Sequence, residues 1–418
     1  MDKDKDSIKF TIKELLEVIN EEKFYDLINV KDIDKYVKKF TAYKFFQLMI
    51  VAQIDQMESL NRISQKLKNK EEMQESFLLK EISTSQISRK QRILTPEMFE
   101  RIFHYLVRVI LARTKKQSII RNIGKLYVID SSTMSMCLSQ YPWASFRKTK
   151  AGVRLHLRVV VTKNEIIPDK AIILPAKHAD RTQMDELVEI EPDAIYLFDR
   201  GYVDYKKFDL YCLKNLRFIT RLKKNAEIEV LNQQAPDPEK LIFKDAEVYL
   251  GNHVNGTKMQ HPLRLIETKD QDGKTVTIVT NCFDLTAKEI ADLYRYRWKI
   301  EIFFKWMKQH LKIKTFYGKS ENAVYNQIWI ALITYCLQVL MKLKYHYEGS
   351  LLNVQRCLVD CLFKGLNVFI ISLFRKPKRT SKGRRPFHWD REFDFIVQQF
   401  EVGEVSHLDD LTYDPLFL

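Results

Sequence analysis

Between residues 8 and 115 the chain contains no glycine and almost no strand-like alternation. Glycine serves the tight turns that hairpins need, so this front segment is expected to fold as a run of helices. The stretch FTAYKFFQLMIVAQIDQM (40–57) has broad helical periodicity. Ser83 with Gln86 reads as a capping box, and Thr95-Pro96-Glu97 as a second helix start with proline at its first position. Between these two starts lies SQISRKQRI, a short basic helix followed by a long one at 99–114. Such a helix between two others suits a helix-turn-helix-like reader of DNA, with Arg89 and Arg92 as candidate contacts. An ordinary solvated helix in a bundle fits the same segment equally well.

The pattern then changes. KLYVID (125–130), 153–162, 166–174, AIYLFD (194–199) and 216–222 are β-type runs, with helical segments at 180–190 and 205–214 between the later ones. Three consecutive strands followed by helix, strand, helix and strand make a mixed α/β sheet. From 226 to 281 turn signals multiply (Gly251-Asn252, Asn255-Gly256, Asp272-Gly273), and strand-like 263–268 and 275–280 flank the last as a hairpin. This reads as a small β-rich insertion before helix resumes at Thr286. The expected division is a helical DNA-binding region (1–118), a mixed α/β catalytic region (119–345) containing the insertion, and a helical, basic C-terminal region (346–418).

Lys and Arg number 69 against 54 Asp and Glu, a net charge of +15 that favours a polyanionic partner, most simply nucleic acid. Six scattered cysteines include no C-x-x-C pair, which argues against a zinc site or disulfide framework and for a reducing compartment. The opening MDKDKDSIKF lacks the apolar core of a leader peptide. The most apolar run, 328–341, is short for a membrane span and includes Thr334 and Gln338, so a buried core helix is expected. A cytoplasmic protein without a membrane partner is the expectation. The run at 375–385 holds seven cations and no acid, and reads as a phosphate-seeking linker or a plain solvated charge run.

The chemistry concentrates in three places. Asp130 follows LYVI and Asp199 follows IYLF, each placed at the carboxyl end of an apolar strand, where α/β proteins build their sites. Gly201 is expected to let the backbone turn tightly after Asp199. The third place is LYRYRWKIEIFFKWMKQHLKIK (293–314), whose spacing predicts one continuous helix. At about 100° per residue, Tyr294, Arg297, Glu301 and Lys308 share one face, beside an apolar stripe of Leu293, Ile300, Phe304, Met307 and Leu311. Two strand-end aspartates and a glutamate from a covering helix can hold two divalent metals about 3.5–4 Å apart. Oxygen-only ligands suit magnesium or manganese. His156 and His178 have no acid or cysteine partner at metal spacing and read as satisfied polar residues. Ser131 and Ser132 lack a nucleophile elbow, which excludes a serine-hydrolase reading.

VIDSST, LFDRGY and above all Y-x-x-R-x-x-x-E-x-x-x-x-x-x-K at 294–308 resemble the DDE transposases of insertion-sequence family four, over about 120–345. The resemblance implies an RNase H-like sheet with Asp130, Asp199 and Glu301 as the metal-binding catalytic triad for Mg2+ or Mn2+. It implies that Tyr294, Arg297 and Lys308 hold phosphates near the cleaved end of double-stranded DNA, namely the element's terminal inverted repeats and a target. Arg200, beside Asp199, and Trp298, bordering the stripe, are further candidate DNA contacts, though Trp298 also fits simple packing. A homodimer on DNA is a family expectation. Hairpin-forming relatives stack an aromatic of the β-rich insertion on a flipped base. No tryptophan lies between 144 and 297 here, leaving Tyr249 or Phe243 for that role. Rival readings are an RNase H-like nuclease or resolvase without strand transfer, and a catalytically dead DNA-binding descendant.

Overall fold

The computed structural model describes residues 9–30, 32–114, 124–162, 165–223, 225–236, 242–269 and 275–375. The front segment is helical: α1 (Thr11–Leu15), α2 (Glu21–Ile28), α3 (Ala42–Ile54), α4 (Leu60–Asn69), α5 (Glu71–Phe77), α6 (Thr84–Ile93) and α7 (Pro96–Arg113). Side chains of Asn20, Thr41, Ser59 and Ser83 accept backbone amides at the starts of α2, α3, α4 and α6. Each such cap stabilises its helix by about 1 kcal/mol. The Ser83–Gln86 capping box forms as the spacing predicts, and α7 starts on Pro96.

The central part forms a 10-stranded mixed sheet. Its strands are β1 (Leu126–Met136), β2 (Ser145–Arg147), β3 (Lys150–Val161), β4 (Ile166–Pro175), β5 (Ile195–Phe198), β6 (Arg217–Arg221), β7 (Ile228–Gln234), β8 (Ile242–Leu250), β9 (Leu263–Lys269) and β10 (Thr275–Thr280). The short α8 (Met184–Leu187) and α9 (Tyr205–Leu213) flank β5 in sequence. Strand order is β2-β3-β1-β5-β6-β10-β9-β8-β7, with β4 also paired to β3. β1–β5 and β5–β6 are parallel and β1–β3–β4 antiparallel. An antiparallel trio followed by two parallel strands is the RNase H-like arrangement. The strands of the 226–281 stretch continue this sheet, because β10 pairs with β6. The 263–280 hairpin appears as β9–β10.

After the sheet come α10 (Ala287–Arg295), α11 (Trp298–His310), α12 (Glu321–Lys344), α13 (Leu351–Cys361) and α14 (Leu366–Leu373). α12 is long and apolar enough to cross a membrane, but 94% of its apolar stretch is buried within the fold. Trp329 packs on Phe103 of α7 with ring centroids 5.4 Å apart, and Tyr335 packs on Phe303 of α11 at 4.8 Å while donating to the Ile166 carbonyl of β4. This one helix is thus the shared core of the front helices and the sheet. Buried amides fix the seam: Gln53 of α3 accepts the Lys312 amide at 2.8 Å, and Asn326 donates to the carbonyls of Gln91 and Leu94. All six cysteines are free thiols. The basic run at 375–385 lies, apart from Arg375, outside the described residues.

α1 is tied to the far end of α12 through Glu14, which meets Lys9, Lys344 at 2.6 Å and Tyr345 at 2.5 Å. Burial works to raise its pKa, but the bonds from Lys344, Lys9 and Tyr345 win and hold it at about 2 against an ordinary 4.5. A depressed carboxylate contributes stability that is present above its unfolded pKa and lost as pH falls through its folded one. Glu14→Gln is therefore expected to cost about 3 kcal/mol at neutral pH. The gap to the parent in urea melts should close between pH 4.5 and about 2. A gap unchanged across that window would remove Glu14 from the acid response.

Candidate active site

β1 and β5 run parallel, and their pairing ends with Ile129 opposite Phe198. The next residue on each is Asp130 and Asp199, so two neighbouring strands deliver a carboxylate at the same level of the sheet. Asp199 does follow the end of β5. Asp130 does not end β1, which continues through Met136 because residues 131–136 stay paired with β3. Gly201 has ordinary backbone geometry. A Cβ there would meet Asp180 Oδ2 at 3.7 Å, so the turn after Asp199 does not require glycine's freedom.

The predicted continuous helix at 293–314 is two helices. α10 stops at Arg295, α11 starts at Trp298 and ends at His310, and across the junction amides bond three residues back (Tyr296 to Leu293, Arg297 to Tyr294). Such 3-10 winding is tighter than α, so the four residues do not share one straight stripe. Tyr294, Tyr296 and Trp298 crowd this junction, and bulky rings lose rotamer freedom in a regular helix. Glu301 still falls in the first turn of α11, which packs against β1.

Arg297 is the centre of the cluster. Its side chain is 7% exposed, its NH1 donates to Glu301 Oε1, and the same nitrogen lies 3.9 Å from Asp130 Oδ2. Burial opposes its charge, but Glu301, Tyr294, Asp130 and Asp199 outweigh burial and keep its pKa above the ordinary value. Burial pushes the Asp130 carboxyl up to about 7. Arg297 pulls against this, and Glu301 and Asp199 add to it. The Tyr294 phenol is raised to about 12, chiefly by burial. Neither its hydroxyl nor Arg297 Nε has a hydrogen-bond partner among the described residues. Two orphaned buried donors beside three acids are unusual in a structural cluster.

The remaining candidates spread outward. Lys308 is half-buried near the end of α11, and Arg200 is exposed at the turn after Asp199. Trp298 is half-buried with the Arg297 guanidinium 4.6 Å from its ring. Arg89 and Arg92 are exposed on α6. Phe243 and Tyr249 both lie on β8, under Lys269 and Lys258 respectively. Among the described residues no three His, Cys, Asp or Glu side chains converge closely enough to hold a metal ion as they stand. A guanidinium sits between two of the acids instead. The donor set nonetheless fits a hard divalent cation: it is carboxylate oxygen only, and the Asp130 carboxyl, pushed up by burial, gains from a positive charge beside it.

Sequence reasoning missed a second polar cluster. His156 is not a satisfied polar residue: it is fully buried, neither ring nitrogen has a hydrogen-bond partner among the described residues, and Nδ1 lies 3.5 Å from Asp180 Oδ1. Burial holds its pKa at about 4, so the ring is neutral near pH 7, with one N–H to give. A histidine inside an apolar strand was the available signal that an acid must stand near.

A sheet of this topology, with acids at the ends of its central parallel strands and a glutamate helix against them, is the frame of an RNase H-like enzyme acting on DNA. Residues 122–337 match the family described as Transposase DDE domain, and residues 9–77 match a domain of unknown function (DUF4372). The chain belongs to the transposase DDE-domain family of DNA transposases, a family whose chemistry depends on divalent metal. A putative transposase y4zB of Sinorhizobium fredii is 32% identical over 58% of this chain and 68% of its own length. A probable transposase for insertion sequence element IS5377 of Geobacillus stearothermophilus is 28% identical over 60% of this chain and 66% of its own length. Transposase InsG for insertion sequence element IS4 of Escherichia coli is 23% identical over 41% of each chain.

Proposed function

We propose that the chain nicks the ends of its own insertion element and joins the freed 3′-hydroxyls to target DNA, acting as a homodimer, with Asp130, Asp199 and Glu301 holding Mg2+ or Mn2+. The observation that supports this best is the meeting of Asp130 and Glu301 around Arg297, with Asp199 at the matching position on the next strand. Two such ions, when bound, would supply an activated attacking oxygen and stabilise the leaving one. The protein's own groups position the DNA. Arg297 Nε and the Tyr294 hydroxyl are donors with no described acceptor, suited to phosphate oxygens beside the scissile bond. Lys308 extends positive charge along α11, and Arg200 and Trp298 flank the acids as further contacts.

The front helices support a role in end binding. α6 presents Arg89 and Arg92 outward while Gln91 and Leu94 anchor it on α12. The loop before α6 borders a cavity of about 490 Å³ lined by Lys38, Lys39, Lys44, Lys68 and Lys80, a concentration of charge suited to backbone phosphate. Alanine at Arg89 or Arg92 is expected to weaken binding to the element's ends more than binding to random DNA. Equal losses in competition gel shifts would reduce α6 to a backbone contact.

The deciding experiment incubates the protein with labelled DNA carrying the element's ends and a plasmid target, with magnesium or with EDTA. Magnesium-dependent nicks and end-to-plasmid joints are the expected products. Nicks without joints would leave a nuclease, and end binding with neither product a dead DNA-binding descendant.

A further inference from the structure

The cluster around Asp180 is not used by the reading above. Asp180 opens the helical turn Asp180–Gln183 after β4. Its Oδ1 accepts hydrogen bonds from Ser131 Oγ at 2.7 Å and from Arg154 NH1 at 3.1 Å, and faces His156 Nδ1 at 3.5 Å. Arg154 is itself fixed on β3, donating from Nε to Thr133 Oγ1 and from NH1 to the His178 carbonyl, both at 3.2 Å. His156 is fully buried and aimed at this carboxylate without another partner among the described residues.

This cluster touches β1, which carries Asp130, and the turn that follows Asp199. Ser131 gives its hydroxyl to Asp180 and its amide to Asp130 Oδ1 at 2.7 Å, so one residue connects the two carboxylates. The other oxygen of Asp180 lies beside Gly201, two residues after Asp199. Carboxylates that serve a metal are held in orientation by outer hydrogen bonds, and loss of such a bond is felt at the ion.

We propose that Asp180 is a positioning residue of the active site, which sets the orientation of Asp130 through Ser131 and is itself held by Arg154. The inference rests on the carboxylate reading given above. Its test uses the full chain with Asp180→Asn and, because that change is half-buried, Ser131→Ala, which removes the same link at a hydroxyl.

Three quantities are measured: end binding by gel shift, nicking rate, and the rise of melting temperature with Mn2+ in the absence of DNA. Both variants are expected to bind ends like the parent, to nick roughly 10–100-fold more slowly, and to need a correspondingly higher Mn2+ concentration for half of the thermal rise. A parental Mn2+ response in both variants overturns the proposal, and so does a lowered melting temperature with that response unchanged, which marks a structural role. A parent that responds to Mn2+ but never nicks overturns the transposition reading while the thermal series still decides Asp180. A parent with no thermal response overturns the proposal for Asp180, and one that also never nicks overturns both.

Discussion

Asp130→Ala, Asp199→Ala and Glu301→Gln are each expected to abolish nicking and to leave binding to the element's ends within a few-fold of the parent. The expected loss of rate is about a thousandfold or more, since a catalytic metal contributes several kcal/mol and each 1.36 kcal/mol is tenfold. Binding survives because phosphate contacts, with a net charge of +15 behind them, supply most of the affinity. Glu301→Gln is the stringent member of the set. It keeps the shape of the side chain and a carbonyl acceptor for Arg297, so its effect isolates the charge. Gel-shift affinity measured beside nicking decides the matter, and any variant that nicks at the parental rate leaves the triad.

Arg297→Ala has the largest expected effect on the fold. It removes a cation that lies between Asp130 and Glu301 and leaves the two acids without that charge. Breaking a buried ion pair from one side costs roughly 3–5 kcal/mol. A divalent cation can replace the missing charge, so the variant should gain more thermal stability from Mg2+ than the parent does. Lys308→Ala provides the contrast. Its side chain is half-buried near the end of α11, so the expected result is near-parental stability with nicked DNA accumulating and few joints formed. Equal Mg2+ shifts in the Arg297 variant and the parent would mean that the guanidinium does not stand in for a cation.

Much of this architecture is legible in the residues because local signals agree with the fold. Ser83–Gln86 and Thr95-Pro96 mark helix starts through backbone donors that need capping, whatever surrounds them. AIYLFD shows β5 because a strand buried on both faces is uniformly apolar. The parts that were not legible depend on partners distant in sequence. β1 runs on through the polar SSTMSM only because β3 pairs with it. β7, exposed along its whole length, has no buried face to impose alternation. The spacing of Tyr294, Arg297 and Glu301 suggested one helix, but spacing alone cannot show where winding tightens. Nor could spacing show that one nitrogen of the Arg297 guanidinium lies between Asp130 and Glu301. Asp180 lies 49 residues from Ser131 and follows a strand of its own, so only folding brings it beside Asp130.

The burial of α12 bears on how the chain is made. Residues 42–113 form α3, α6 and α7, which cover this helix, and they leave the ribosome some 200 residues before it does. At about 5–20 residues per second that is roughly ten to forty seconds. The most apolar stretch of the protein therefore emerges onto a surface already synthesised to receive it. A fragment that starts at the sheet and runs through α12 would have no such cover and would expose the face of α12 to water, to other chains or to a membrane.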